Sequence, residues 1–284
     1  MNEVADEKGL SWSVTALCER TGMSRQNYYA ARRLRQRRQM DEALILELVG
    51  RERRMQPRLG GRKLLHLLQG DLTEAGVRIG RDRFFELLGE NDLLVVRKPG
   101  TPRTTNSRHS LPVFHNLLAG ITLHAPNQAW VSDLTYIRTE EGFLYAALIT
   151  DAYSRKIVGA HIGDSLEADG CLQALEQALR VLPDGKHPIH HSDRGCQYCC
   201  HEYVEKLQSR VLPISMTETQ HCYENALAER VNGILKQEYE MDRKFRTKAQ
   251  AIAAFKQAVW IYNHRRPHLS LGYRFPAAVH AEVA

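Results

Sequence analysis

The chain has 284 residues, of which 43% are hydrophobic and 25% charged, and a formal net charge of +6. That length suggests about two domains, the composition argues against global disorder, and no apolar run approaches the ~18 residues of a membrane helix. The charge is uneven: residues 1–125 hold 21 Lys+Arg against 14 Asp+Glu, and the remainder holds 18 against 19. A localised basic surplus points to a polyanion partner, of which nucleic acid is the commonest.

The polar, acidic start Met1–Glu7 predicts no secretory signal and a cytoplasmic protein. Residues 13–35 read as two short helices around Thr21-Gly22-Met23, with Ser24 as the second N-cap. The second helix opens on Arg25 and Gln26 and runs on through Arg32, Arg33, Arg35, Arg37 and Arg38. Polar and basic residues at the start of a second helix fit a helix–turn–helix, whose recognition helix enters the major groove. A generic helical hairpin fits the same pattern. A further amphipathic helix is expected over 41–49, another over 62–69, and a basic helix from Arg81 and Arg83 after the turn at Gly76–Gly80. These segments divide into a helix–turn–helix-like unit with a basic helix over 1–55 and a second such unit over 56–100. Residues 101–124, rich in Pro, Thr, Ser and His, read as a linker.

From 125 to 284 the pattern changes. Strands are expected over 129–137, 143–151, 156–162, 188–192 and 211–215, and helices over 167–181, 196–208, 223–240 and 247–264. Such an order predicts an α/β mixed sheet covered by helices. The six cysteines include Cys196-x-x-Cys199-Cys200, with histidines nearby. Structural zinc wants two separated ligand pairs. Only one pair has that spacing, so reduced thiols packed as small hydrophobes are the preferred reading.

Asp133 lies on a largely apolar strand face with Val131 and Ile137, where an unpartnered carboxylate is costly. Asp193 follows a short strand and precedes Gly195. Glu229 belongs to a helical polar stripe with Asn225, Asn232 and Lys236, separate from Leu227, Val231, Ile234 and Leu235, and for this helix alone a solvated face is the preferred reading. Three carboxylates from three elements suit Mg²⁺, which prefers oxygen ligands. Spacing alone does not select them, since Asp151, Asp164 and Asp169 are also available.

Five ordered segments carry a more specific signal. They are Ala125–Ile137 (APNQAWVSDLTYI), Asp151–Gly159, His191–Tyr198 (HSDRGCQY), Asn225–Glu229 with Lys236, and Tyr262-Asn263 with Arg266-Pro267-His268. Between Asp193 and Glu229 lie 35 residues. The chain resembles the second-reading-frame transposases of insertion-sequence family three, which carry a DDE retroviral-integrase-like catalytic core. The resemblance implies an RNase H-like fold over 125–284, preceded by all-α helix–turn–helix-like units. It implies a catalytic and metal-binding triad of Asp133, Asp193 and Glu229, with Mg²⁺ as cofactor and Mn²⁺ able to substitute. Nicking at element ends followed by strand transfer is the implied reaction. Lys236 and Arg230 would contact phosphates, while Arg25, Gln26, Arg81 and Arg83 serve the N-terminal grip. The implied partners are DNA (terminal inverted repeats and target), further copies of the chain on that DNA, and an upstream-frame protein or fusion, with no membrane and a nucleoid-associated location. Two positions depart from the family: Gln220 stands where a Gly is usual and Glu224 where an Asp is usual. The alternative is a catalytically decayed copy that acts as a sequence-specific DNA-binding protein. An RNase H-type nuclease shares the chemistry but leaves the basic N-terminus unexplained.

Overall fold

A computed structural model describes residues 3–5, 11–96, 111–218 and 225–282. A short ribbon pairs β1 (Glu3–Ala5) with β2 (Ser11–Ser13). Helices α1 (Val14–Thr21), α2 (Arg25–Met55), α3 (Gly61–Glu74) and α4 (Arg81–Glu90) follow. The Ser13 and Ser24 hydroxyls accept from the Ala16 and Asn27 amides, which caps α1 and α2. Gly22, at φ +67°, takes the left-handed conformation that ends α1.

The separate helices expected over 25–38 and 41–49 are one continuous 31-residue helix. No Gly or Pro occurs between Arg25 and Val49, so nothing interrupts the backbone ladder there. The first half of α2 is exposed, with Leu34 at 70% and Met40 at 73%. In its second half, Ile45, Leu48 and Val49 join Leu64, Leu68, Phe84 and Leu88 in a three-helix core. A single helix thus runs from the exposed N-terminal turn at Gly22 into the three-helix core.

The C-terminal part is built on a five-stranded sheet of β3 (Ala129–Thr139), β4 (Gly142–Asp151), β5 (Ile157–Gly163), β6 (Ile189–Ser192) and β7 (Ile214–Met216). Its order is β5-β4-β3-β6-β7. The first three strands form an antiparallel meander, and β6 and β7 run parallel to β3. Helix α5 (Ala168–Arg180) crosses from β5 to β6, and α6 (Cys196–Cys199) and α7 (His201–Ser209) cross from β6 to β7. The chain ends in α8 (Ala226–Glu238), α9 (Lys248–His264) and α10 (Pro276–Ala281). This is the RNase H-like arrangement: a meander, two parallel strands, and helices on both faces.

Strand alternation sorts the core. Ala146 and Leu148 of β4 face α8 and α9 with Val231, Ile234, Phe255 and Ile261. Ala147 and Ile149 face the other way, onto Leu175 and Ala178 of α5 and Tyr203 of α7. Helix α5 seats closely on β5, since a Cβ at Gly159 would lie 2.1 Å from the Ala174 carbonyl oxygen. Some details differ from expectation. The helix over 196–208 is split at Cys200, whose backbone is extended. The strand expected from 211 starts at Ile214, because Val211 turns the chain at φ +55°. Helix α10 gives no periodic signal in six residues. Cys171 and Cys199 are buried beside α5 and α7 as ordinary packing groups.

Candidate active site

Asp133 points from β3 toward α8, on the face shared with Ile137. Its Oδ2 accepts from Asn232 Nδ2 of α8 at 2.8 Å, and its Oδ1 accepts from the Leu134 amide at 2.9 Å. Burial raises its pKa most, and the nearby Asp193 and Glu229 carboxylates add to that. The hydrogen bonds from Asn232 and Leu134 oppose the rise, and the result is about 7. Asp193 stands one residue beyond β6, and the parallel register Val131↔His191 sets it beside β3. Its Oδ1 accepts from the Gly195 amide at 3.0 Å. Glu229 occupies the first turn of α8 and is exposed.

The three expected acids therefore act on one another's charge. Among the described residues, however, no three His, Cys, Asp or Glu side chains are grouped closely enough to hold a metal ion as they stand. The donor set still fits a hard divalent cation. All donors are oxygens, and Asp133 is a half-buried carboxylate faced by two further acids. Mg²⁺ is commonly held by one or two carboxylates, with substrate phosphate completing the shell.

Part of the polar stripe of α8 is turned inward, while Glu229 stays exposed. Asn225 and Asn232 are 4% and 5% exposed. Asn225 Nδ2 donates to the Ser132 carbonyl at 3.0 Å. Lys236 Nζ lies 4.5 Å from the Tyr136 ring centroid, and its pKa is lowered by burial although Asp133 pulls it upward. The oxygens Asn225 Oδ1 and Asn232 Oδ1 are buried with no hydrogen-bond partner among the described residues. Sequence reasoning placed both asparagines on the polar stripe but gave neither a role at the site. The available signal was their spacing, since 225, 232 and 236 recur with the period of an apolar stripe on the same helix.

The competing acids are used elsewhere. Asp151 is fully buried and accepts from the Asn127 amide, the Ser154 amide and the Ser154 hydroxyl, each at 2.7 Å. Burial raises its pKa, but the nearby His280 and the hydrogen bonds from Ser154 and Asn127 outweigh this and hold it below the ordinary range. Asp164 pairs with Lys248 at 2.6 Å. Asp169 sits exposed in the first turn of α5.

The expected DNA contacts are dispersed. Arg25 and Gln26 are exposed on the first turn of α2, and Arg230 is exposed on α8. Arg81 pairs with its neighbour Asp82 at 2.8 Å. Arg83 is tied to Glu42 at 2.7 Å, Glu90 at 2.8 Å and Glu86 at 3.3 Å. Its charge thus links α4 to α2. Gln220 and Glu224, the two departures, lie outside the described residues.

Residues 124–222 and 211–276 match two family models, each described as an integrase core domain. An insertion element IS600 protein of 31 kDa from Shigella sonnei is 39% identical over 92% of this chain and 96% of its own length. The transposase for insertion sequence element IS629, from the same organism, is 34% identical over 72% of this chain and 69% of its own. Among solved structures, the HTLV-2 integrase catalytic core domain in complex with magnesium is 20% identical, with a TM-score of 0.44. It covers 55% of this chain and 97% of its own.

Proposed function

The chain belongs to the IS3 family of insertion-sequence transposases, enzymes of the polynucleotidyl-transferase type, and we propose that it nicks DNA at its element's ends and transfers the freed strand through Asp133, Asp193 and Glu229. One observation carries this reading. Asp133 is a half-buried carboxylate set against two others, held in place from α8 and raised to a pKa of about 7. A fold does not maintain such repulsion for stability, and perturbed acids of this kind cluster at functional sites.

The reaction consists of two phosphoryl transfers. In the first, water attacks the phosphodiester at an element end and leaves a 3′-hydroxyl. In the second, that hydroxyl attacks another phosphodiester, so one bond forms as one breaks and no covalent enzyme intermediate is needed. Asp133, Asp193 and Glu229 would hold Mg²⁺, with Mn²⁺ able to substitute, and the cation would supply activation of the attacking oxygen and charge stabilisation of the leaving one. Asn232 and the Leu134 amide fix the two oxygens of Asp133. Lys236, half-buried beside Tyr136, offers its cation to a substrate phosphate next to the acids, and Arg230 extends that contact outward. The N-terminal helices grip the terminal repeat through Arg25 and Gln26, with Arg81 beside α4. Two ends must be held together, so the working form is several copies on DNA, alone or with an upstream-frame protein.

The test is cleavage of a duplex carrying the element's own terminal repeat in Mg²⁺, with binding followed in parallel by fluorescence anisotropy. Asp193→Ala and Glu229→Ala are expected to bind the duplex as the parent does and to cut it at least ~10³-fold more slowly. Undiminished cutting by Asp193→Ala overturns the assignment. A parent chain that binds the repeat without cutting it identifies the decayed, DNA-binding alternative.

A further inference from the structure

The segment Tyr262-Asn263…Arg266-Pro267-His268 has no place in the chemistry above, although it is among the most specific in the chain. Asn263 holds β5 from α9: its Oδ1 accepts from the Ile157 amide and its Nδ2 donates to the Ile157 carbonyl, both at 2.9 Å. Arg266 does something different. It is 2% exposed and grips Glu238, in the last turn of α8, with two hydrogen bonds of 2.8 and 2.9 Å. The same carboxylate takes a third bond from Lys63 of α3, whose Nζ lies 2.9 Å from Glu238 Oε1. Both side chains of that pair are less than one-fifth exposed.

The N-terminal unit reaches this point by several routes. The Arg58 amide donates to the Glu238 carbonyl at 3.1 Å. Tyr239 OH donates to Gln56 Oε1 at 3.2 Å, and Arg265 Nη2 donates to the nearly buried Glu52 at 3.2 Å. His66 of α3 stacks on Tyr273 with ring centroids 4.8 Å apart. The Glu238 clasp at the centre of this junction is largely buried and held by directional, charge-assisted hydrogen bonds, so it admits few alternative registers. An apolar face would slide more freely.

Glu238 lies nine residues beyond Glu229 on the same helix, a distance of about 13 Å along its axis. We propose that Glu238 is a positioning residue: Lys63 and Arg266 clasp it so that the N-terminal helical unit sets the placement of α8, and with it Glu229, Asn232 and Lys236. Gripping an element end and placing the catalytic helix are then mechanically one event. This rests on the functional reading above for its consequence in cleavage, but not for the clasp itself.

Lys63→Met removes the cross-unit charge while Arg266 still neutralises Glu238, so the fold is retained. Two measurements on the full chain test the proposal. In single-turnover cleavage of the terminal-repeat duplex, Lys63→Met is expected to bind within about twofold of the parent and to cut at least tenfold more slowly, with Lys63→Arg restoring most of the rate. In hydrogen exchange, amides of residues 229–238 are expected to exchange at least tenfold faster in Lys63→Met and at the parental rate in Lys63→Arg. Parental cutting together with parental exchange in Lys63→Met overturns the proposal. So does a loss of binding that matches the loss of cutting, because Lys63 then acts on DNA and not on α8. If the parent chain does not cut at all, faster exchange over 229–238 still supports the clasp, and only the catalytic reading falls.

Discussion

Two aspartates lie close together on the β3–β4 ribbon and meet opposite fates. In that ribbon Asp133 pairs with Leu148, and three residues along Trp130 pairs with Asp151. Asp151 closes a corner: three donors from Asn127 and Ser154 point at its oxygens, His280 lies 3.8 Å away, and its pKa is held down. Asp133 receives two donors, confronts two further acids and is raised to about 7. Asp151 is fully buried and Asp133 half-buried, yet it is the more buried carboxylate whose pKa is lowered, so burial alone does not explain the contrast. The difference lies in whether the fold has satisfied the charge or left it for something else to satisfy.

The largest effect that could break this comparison is catalytic. Asp133→Asn is expected to slow cleavage at least ~10³-fold and to raise the thermal midpoint of the metal-free protein, since a repelled charge is removed. Added Mg²⁺ is expected to stabilise the parent, by about 2.7 kcal/mol at a hundredfold excess over Kd, and to leave Asp133→Asn unmoved. A variant that loses both activity and stability would place Asp133 with Asp151. In contrast, Asp151→Asn turns an amide N–H toward a backbone or hydroxyl donor. It is expected to cost about 3 kcal/mol in urea unfolding.

Glu238 extends the comparison to pH. Burial pushes its pKa up, but Arg266 and Lys63 outweigh that and bring it to about 2, from an ordinary 4.5. A depressed carboxylate stabilises the fold above its unfolded pKa, and that stability is lost as pH falls. On the order of 3 kcal/mol should disappear between about pH 4.5 and 2, and Glu238→Gln should flatten that part of the profile. His190, lowered to about 3 by burial and by His191, loses stability over the window from 6.5 downward and remains in both proteins. The smallest effect separates a free arginine from a committed one. In anisotropy titrations Arg25→Ala should reduce the salt slope of DNA binding by about one. Arg83→Met, whose parent side chain is already held by three glutamates, should leave that slope unchanged.

Much of the core was legible without coordinates. Alternation along 129–137 and the small and β-branched content of 143–151 mark strands, and the spacing from Asp193 to Glu229 adds to the family resemblance. Other features depend on what packs where. The exposed first half of α2 shows no apolar stripe because it has no partner, so its continuity rests only on the lack of a breaker before Gly50. Asn225 and Asn232 look like surface residues until Ser132 and Asp133 are seen to meet them. Arg83 reads as a DNA contact until Glu42, 41 residues away, is found beside it. In each case the deciding neighbour is distant in sequence, where local periodicity carries no information.

Helix α2 constrains phase as well as length. Its two halves share one hydrogen-bonded backbone, so no hinge lies between the arginines at its exposed start and Glu52 at the junction with the core. Each residue turns the helix by about 100°, so three inserted near Arg35 would swing the exposed end by roughly 300° and advance it about 4.5 Å. Seven would return it to within about 20° of its original bearing. Changes of chain length here should therefore be tolerated in multiples of a heptad and rejected between them, as with teeth on a shaft that must engage a partner at a fixed angle.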